Sequence, residues 1–427
     1  MAAYGDLHLP SMANMRTPED GDPVLDPVTA RAGGQLAAIL PSIGGDDRAG
    51  ASIRAVLDRL TAHRPPASAY RAPRWSGVGD DCSPLEWSLA FHGDAVDLRL
   101  LVEAQSEPAD PCGYWEAGRA LTRSLVDDLG AATGRLDEIE DLYAPGPGAT
   151  PAFVLWHGLE WRHPAGERPP RVKLYLNPAA ADPAPDAVIE VVAETYRRLG
   201  FGDSWPVIAS LLDEAAPSHV SIDLDGSAGA RFKVYLRVRD VGAAARAYGL
   251  GSRAQPDDVI RFVGALAGRE VGPEDRLPRP GSVVLHHTDT AATTPERTVL
   301  NLHVPSLCGD DRTALDRIGP LLAAHGLAAD RHADALAALA RDSFMGTSPF
   351  RAAGPDPLGG QSRLQSYMSF QREPEGARLT AYVGLRAFAA RFGWRADDPD
   401  TMWPSAVARG PGGPGGPADP ADQMPAP

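Results

Sequence analysis

The 427-residue sequence is poor in several features, and each scarcity excludes a class of protein. Its cysteines, Cys82, Cys112 and Cys308, form no CxxC or Cys/His cluster, which argues against a structural zinc site and a disulfide framework. No apolar run is long enough to span a membrane, and no basic segment precedes an apolar one near residue 1. The formal net charge of −15 argues against nucleic acid and anionic membranes as partners. We therefore expect a reduced, cytoplasmic protein that binds neither.

The two ends of the chain differ in composition from its middle. Residues 408–427 are rich in Pro and Gly, and residues 1–25 are similar but less extreme. Such segments contain too little apolar surface to fold on their own. We predict a flexible N-terminal segment over 1–25, a single domain over 26–400 and a disordered tail over 401–427.

Five segments between these ends predict β-hairpins. Each combines two-residue periodicity with a turn that contains Gly, Pro or Asp. They span 85–104, 153–176, 219–238, 282–305 and 364–385. Helical periodicity fills the intervals, usually as two segments that begin after Asp or Ser. The chain therefore reads as five ββαα repeats.

Ten antiparallel strands in an open sheet would twist strongly and leave two exposed edges. Closing the sheet removes both problems. We predict an α+β fold: a ten-stranded antiparallel β-barrel built from five ββαα repeats, with amphipathic helices around it. A ten-stranded barrel is wider than the eight-stranded kind that side chains just fill, so it encloses a lumen.

Two predicted strands carry the same Lys-x-Tyr motif, in "RVKLYLNP" at 171–178 and "ARFKVYLRV" at 230–238. Side chains alternate between the faces of a strand. Lys173 therefore shares a face with Tyr175, and Lys233 shares one with Tyr235. The opposite, apolar faces need the helices for burial, which leaves the Lys/Tyr faces for the lumen. A solvated outer face is the alternative for either motif alone, and the repetition favours the lumen.

The same alternation brings cations and aromatic rings into one lumen. The inward-facing set is Arg99, Lys173, Arg231, Lys233, Asn301, His303, Tyr175, Tyr235 and Tyr367. Converging cations suit a multiply charged anion such as diphosphate, and electron-rich ring faces stabilise a carbocation. Ionisation of an allylic diphosphate requires both, because the leaving group must be held and the allyl cation shielded from water.

The ordered set "LEWSLAF", "RVKLYLNP", "ARFKVYLR", "NLHVP" and "SYMSFQR…RLTAYVGL" resembles the indole prenyltransferases of the dimethylallyltryptophan synthase type, between residues 80 and 390. The resemblance implies the ABBA prenyltransferase barrel. It also implies transfer of a dimethylallyl group from dimethylallyl diphosphate to the indole ring of L-tryptophan or a derivative. No cofactor is implied, since Arg and Lys would take the place of magnesium at the diphosphate.

The resemblance implies roles for individual residues. Glu86 matches the glutamate that accepts a hydrogen bond from the indole N–H. Glu160 falls near the group that takes the ring proton, where fungal relatives have lysine, so the base stays open. Asn301 and His303 depart from the usual Gln or Lys followed by Tyr, and we assign them to the diphosphate site and the carbocation shield. The remaining matches are Arg99, Lys173, Arg231 and Lys233 for diphosphate, and Tyr175, Tyr235 and Tyr367 for the shield.

Other interpretations remain open. The acceptor could be tyrosine, a phenol or an indole-containing peptide, with attachment at nitrogen or oxygen, or the barrel could bind a metabolite without catalysis. Asp310 and Asp311 in "CGDDRTALD" could form half of a magnesium motif, but aspartate in the first turn of a helix is ordinary capping. We therefore predict no metal site. Tyr382 is a further shield candidate whose face the sequence does not decide.

Overall fold

The computed structural model of the chain describes residues 27–62, 76–79, 83–149, 151–341, 363–374 and 376–385. The predicted flexible ends, 1–25 and 401–427, lie outside the described residues. The predicted domain boundaries at 26 and 400 do so as well, and all of these stay predictions.

Ten antiparallel strands form one closed sheet. Each strand pairs with the next along the chain, and the first pairs with the last. The strands are β1 (Leu85–His92), β2 (Ala95–Glu103), β3 (Leu155–Trp161), β4 (Arg171–Leu176), β5 (Ala215–Asp223), β6 (Phe232–Asp240), β7 (Arg276–His287), β8 (Arg297–His303), β9 (Gln365–Glu373) and β10 (Gly376–Gly384). This confirms the predicted ten-stranded barrel. Each predicted hairpin overlaps one strand pair, and β5, β6 and β7 extend beyond the predicted bounds.

Helices precede every hairpin. Their bounds are α1 (Pro27–Ile39), α2 (Asp47–Thr61), α3 (Pro111–Leu129), α4 (Gly134–Asp137), α5 (Pro185–Arg198), α6 (Trp205–Ala209), α7 (Val241–Tyr248), α8 (Pro256–Ala267), α9 (Val304–Cys308), α10 (Asp311–Ala324) and α11 (Ala329–Arg341). N-caps explain where α2, α3 and α7 begin. The side chains of Asp46, Asp110 and Asp240 each accept a hydrogen bond from a backbone N–H of the first turn. None of the described helices is long and apolar enough to cross a membrane.

The hydrophobic core lies between the helices and the outer face of the barrel. Alternate residues of β1, among them Trp87 and Phe91, are fully buried in it together with side chains of α1 and α2. The Trp87 indole donates a hydrogen bond to the Ala32 carbonyl of α1 at 3.2 Å, and its ring lies 6.4 Å from that of Trp161 on β3. The apolar strand faces therefore pack on the helices, as predicted, and the other faces line the lumen.

Asp310 and Asp311 both bind backbone N–H groups. Asp310 caps α10 by accepting a hydrogen bond from the Thr313 N–H at 2.8 Å. Asp311 is buried and accepts from the N–H groups of Leu364 and Gln365, at 2.6 and 3.0 Å, where β9 begins. The capping interpretation holds for Asp310, while Asp311 joins the helix to the barrel.

We expect Asp311→Ala to lower the free energy of unfolding by about 2–4 kcal/mol, because two buried N–H groups lose their acceptor. Asp310→Ala is the control and should cost about 1 kcal/mol, the usual value of an N-cap. Urea unfolding followed by circular dichroism measures both. Equal losses for the two variants would show that Asp311 does not join α10 to β9 in this way.

Candidate active site

Three adjoining cavities lie along the barrel. They are the aromatic cavity of about 180 Å³, the inner cationic cavity of about 60 Å³ and the arginine mouth of about 520 Å³. The order of the cavities along the barrel follows from alternate residues on and just before β6. Tyr235 lines both the aromatic and the inner cavity, and Lys233 lines the inner cavity. Arg231 lines both the inner cavity and the mouth. Arg237, two residues beyond Tyr235, lines the aromatic cavity. The lumen thus changes from aromatic at one end to arginine-lined at the other.

The inner cationic cavity brings together all five residues predicted to bind diphosphate. They come from four strands, β2, β4, β6 and β8, or from the residue just before one, and alternation across a closed sheet turns them inward. Its charged and amide lining residues include Arg99, Lys173, Arg231, Lys233, Arg378 and Asn301. The Asn301 side chain donates a hydrogen bond to Ser282 Oγ on β7 at 3.0 Å, which orients its amide.

Glu160 on β3 lies among these cations and is 2% exposed. Its Oε1 is 2.7 Å from Arg99 Nη2 and 3.1 Å from Arg378 Nη2. Its Oε2 is 3.2 Å from Lys173 Nζ and 3.7 Å from Arg231 Nη2. Burial by itself would raise the pKa of Glu160, but the four cations, Lys173 foremost, hold that pKa well below its ordinary value. The geometry therefore gives Glu160 a role in neutralising the cluster, and its role as proton acceptor stays a prediction.

Two further carboxylates balance the cluster. Asp223 on β5 is 2.6 Å from Arg231 Nε, and Lys233, Arg231 and Lys173 together hold its pKa below the ordinary value against the effect of burial. Asp97 on β2 pairs with Arg378. Three carboxylates thus face three arginines and two lysines, so the cluster is net positive when the lysines are protonated, and this charge suits a polyanion.

The two lysines of the cluster, Lys173 and Lys233, are the only lysines in the 427-residue sequence. Both are buried. Burial lowers the pKa of Lys173 to about 7, and burial together with the nearby Arg231 and Lys173 lowers the pKa of Lys233 well below its ordinary value. Arginine, in contrast, stays protonated near neutral pH. The lysines are therefore the cations of this cluster whose charge depends on what lies beside them.

The aromatic cavity is walled by rings from six strands. Its ring-bearing residues are Trp156, Tyr175, His219, Tyr235, Tyr367 and Tyr382. Tyr175 and Tyr235 lie 5.9 Å apart, and His219 stacks on Tyr235 at 3.9 Å between ring centroids. Burial raises the pKa of Tyr175 to about 12 and lowers the pKa of His219 to about 3. Both rings are thus neutral near pH 7, and uncharged electron-rich faces can stabilise a cation.

Glu86 and Tyr367 take the positions expected of them, since both line the aromatic cavity. Glu86 is buried, and its Oε1 accepts a hydrogen bond from Ser366 Oγ on β9 at 2.5 Å. His303 lines none of the three cavities. Its Nδ1 accepts a hydrogen bond from the Ser306 N–H at the start of α9, and its ring packs edge-on against Tyr367 at 5.2 Å. Its predicted place in the shield stays a prediction, with support only through Tyr367.

Comparison with solved structures relates this site to known proteins. A structure of PriB with the product diphosphate is 28% identical, with a TM-score of 0.69, over 84% of this chain and 97% of that one. The 6-dimethylallyltryptophan synthase of Micromonospora olivasterospora, in complex with DMASPP and Trp, is 26% identical, with a TM-score of 0.70, over 84% and 98%. The 5-dimethylallyltryptophan synthase of Streptomyces coelicolor, also in complex with DMASPP and Trp, is 29% identical, with a TM-score of 0.70, over 85% of this chain and 96% of that one. The chain is an ABBA-fold prenyltransferase. No family model and no curated protein matches it.

Several residues of the ABBA prenyltransferase site were missed by sequence reasoning. Arg378 and Thr380 on β10 line the inner cavity, together with Tyr382, the shield candidate whose face the sequence left undecided. Their spacing repeats that of Arg231, Lys233 and Tyr235, so the same signal was present. His286 lines the inner cavity, whereas the neighbouring His287 points the other way and lies 3.0 Å from the Tyr196 hydroxyl. That pair alternates across the strand as expected.

The described part of the prenyltransferase contains no group of three or more His, Cys, Asp or Glu that could hold a metal ion. Asp310 and Asp311 are engaged by backbone donors away from the lumen cavities. The cations of the inner cavity are the groups placed to bind a polyanion.

We expect Lys173 to titrate at about pH 7 and to become more basic when pyrophosphate binds, because added negative charge favours the ammonium form. Selective ¹³C labelling of lysine gives only two side-chain signals, so each Cε shift can be followed against pH. The Lys173→Arg variant removes one of the two signals. The lost signal is then assigned to Lys173 and the remaining one to Lys233. A Lys173 midpoint near 10 without pyrophosphate would contradict the buried, cation-rich environment.

Proposed function

We propose that this prenyltransferase transfers a dimethylallyl group from dimethylallyl diphosphate to the indole ring of L-tryptophan or a derivative. The observation that carries the proposal is the junction of two cavities. Arg99, Lys173, Tyr175 and Tyr235 each line both the cationic and the aromatic cavity. A diphosphate held by the first cavity would therefore place its allylic carbon against the rings of the second.

The inner cationic cavity supplies what departure of diphosphate needs. The C–O bond breaks heterolytically, diphosphate keeps the electron pair, and the developing negative charge meets Arg99, Lys173, Arg231 and Lys233. Preorganised cations in a buried site stabilise such charge far more than water-exposed ones do. We accordingly propose that the reaction needs no metal ion.

The tyrosine walls supply what the allyl cation needs. Tyr175, Tyr235 and Tyr382 line the junction and exclude water with faces that attract positive charge. An indole carbon then donates its π electrons to the cation and forms the new C–C bond. The resulting arenium ion is a strong acid, so even a carboxylate of low pKa such as Glu160 can accept the ring proton.

Polar groups at the aromatic end support an amino-acid acceptor. Glu86 is a buried carboxylate in the wall and would accept a hydrogen bond from the indole N–H. Arg237 and Arg279 line the same cavity, and the Arg279 guanidinium lies 5.6 Å from the ring centroid of Tyr367. Guanidinium groups bind carboxylates bidentately, which favours tryptophan over an acceptor that lacks a carboxylate.

Two sequence-based proposals accompany this function. We propose that residues 26–400 form one domain and that the protein is cytoplasmic. Limited proteolysis followed by mass spectrometry tests the first, since cleavage should be confined to residues before 26 and after 400.

We expect purified protein to convert L-tryptophan and dimethylallyl diphosphate into a product heavier by one prenyl unit, and we expect EDTA to leave the rate unchanged. Mass spectrometry detects the product, and NMR gives the ring position. Parallel reactions with L-tyrosine and tryptamine test the indole and the carboxylate. Product from tyrosine but not from tryptophan would contradict the assignment of tryptophan as the acceptor. Loss of product with EDTA would contradict the proposal that the reaction needs no metal ion.

We expect Glu86→Gln to lower kcat/KM for tryptophan by about 10- to 100-fold, because a hydrogen bond to a charged group contributes about 1.5–3 kcal/mol. The KM for dimethylallyl diphosphate should not change. Tryptophan methylated at the indole nitrogen is the matched control, since it has no N–H to donate. An equal loss of kcat/KM for both acceptors would exclude the proposed contact.

A further inference from the structure

The arginine mouth, defined by Arg162, Arg171, Arg231, Arg253 and Arg297, includes four arginines that the proposed reaction does not use, and it shares Arg231 with the inner cationic cavity. Four of these arginines are exposed, Arg297 among them, and the other three come from separate positions: Arg162 follows β3, Arg171 begins β4 and Arg253 precedes α8. Within the described part of the chain, no carboxylate lies at ion-pair distance from any of these three. Such a cluster is unexpected on a chain with a net charge of −15.

Glu296 is the one carboxylate among the described residues that line the mouth. Glu296 accepts hydrogen bonds from the N–H groups of Thr288 and Asp289, at 2.9 and 2.7 Å. Glu373 lies 3.4 Å from Arg297, and Asp223 binds Arg231. These three acids do not balance the five arginines, so the mouth keeps a net positive charge.

Repulsion between the guanidinium groups destabilises the mouth when no anion is bound. Burial and the neighbouring Arg171 lower the pKa of Arg162, with Arg231 adding to this effect and Glu160 opposing it. A guanidinium destabilised by other guanidinium groups gains from any anion that binds between them. The ligand that this arrangement suits is a multiply charged oxyanion, which several planar donors can bind at once.

The mouth adjoins the inner cationic cavity. Arg231, His286 and Arg297 line both. An anion that moved between the two cavities would stay in contact with cations at every step. The aromatic cavity lies beyond the inner one, so an acceptor bound there would not obstruct this route.

We propose that the arginine mouth is a second anion-binding site, which receives the diphosphate of the donor before it reaches the inner cavity and the released diphosphate as it leaves. This inference rests on the proposed function for the identity of the donor. The donor would pass inward with its hydrocarbon tail leading, so that the tail reaches the tyrosines as the diphosphate reaches the lysines. Fields from like charges at a cleft raise the local concentration and the association rate of an oppositely charged ligand.

Calorimetric titration with inorganic pyrophosphate tests the site without requiring turnover. We expect two binding events in the wild type, and the double variant Arg162→Gln/Arg171→Gln should lose one of them. Arg48→Gln/Arg123→Gln removes the same charge from exposed positions elsewhere and should keep both. Lys173→Met should lose the inner event and keep the outer one. A single event in the wild type that Arg162→Gln/Arg171→Gln leaves intact would overturn the proposal, whatever the acceptor proves to be.

Steady-state kinetics test the role of the mouth in turnover. At low ionic strength we expect Arg162→Gln/Arg171→Gln to lower kcat/KM for dimethylallyl diphosphate by about 10-fold relative to Arg48→Gln/Arg123→Gln. The kcat and the KM for tryptophan should be unchanged. The difference should vanish in 1 M salt, where charges are screened beyond about 3 Å. Arg253→Glu, from a separate loop, should reproduce the loss. Donor kinetics equal to those of the control pair would overturn the role in donor capture.

Discussion

The alternation of side chains across a closed sheet decides which residues meet in this prenyltransferase. A closed barrel has no edge, so every strand presents one face to the helices and the other to the lumen. A slip of one residue would exchange Lys173 and Tyr175 for Leu174 and turn the active site into core. What prevents the slip is the packing of Trp87 and its neighbours against α1 on the opposite face. Register, core and chemistry therefore depend on one another.

Closure also concentrates charge. Burying a cation costs roughly several kcal/mol unless a partner compensates, and the lumen buries several cations beside three carboxylates. Glu160 contacts four of them, so one carboxylate keeps the cluster together while leaving it positive. The folded protein therefore holds buried positive charge that binding of a polyanion would compensate. The two lysines adjust to it, because burial has brought the pKa of Lys173 close to neutrality.

Two-residue periodicity was sufficient to predict the barrel and most of its lining, since parity follows from local sequence. It placed Lys173, Lys233 and their tyrosines correctly without knowledge of neighbours. It could not show the surroundings of Glu160, because these depend on which strands are adjacent: Arg378 and Asp97 are 281 residues apart and meet only where β10 closes on β1 and β2. The orientation of His303 could not be predicted for a different reason. This residue ends β8, and capping of α9 sets its orientation.

The scarcity of lysine has a practical consequence. Every side-chain amine of the sequence belongs to the lumen, and arginine alone supplies the remaining basic charge. Acylating reagents, cross-linkers and conjugation enzymes that act on lysine thus find no exposed target among the side chains. Any lysine adduct detected on the folded protein reports on access to its catalytic chamber, and a ligand that fills the chamber should suppress that adduct.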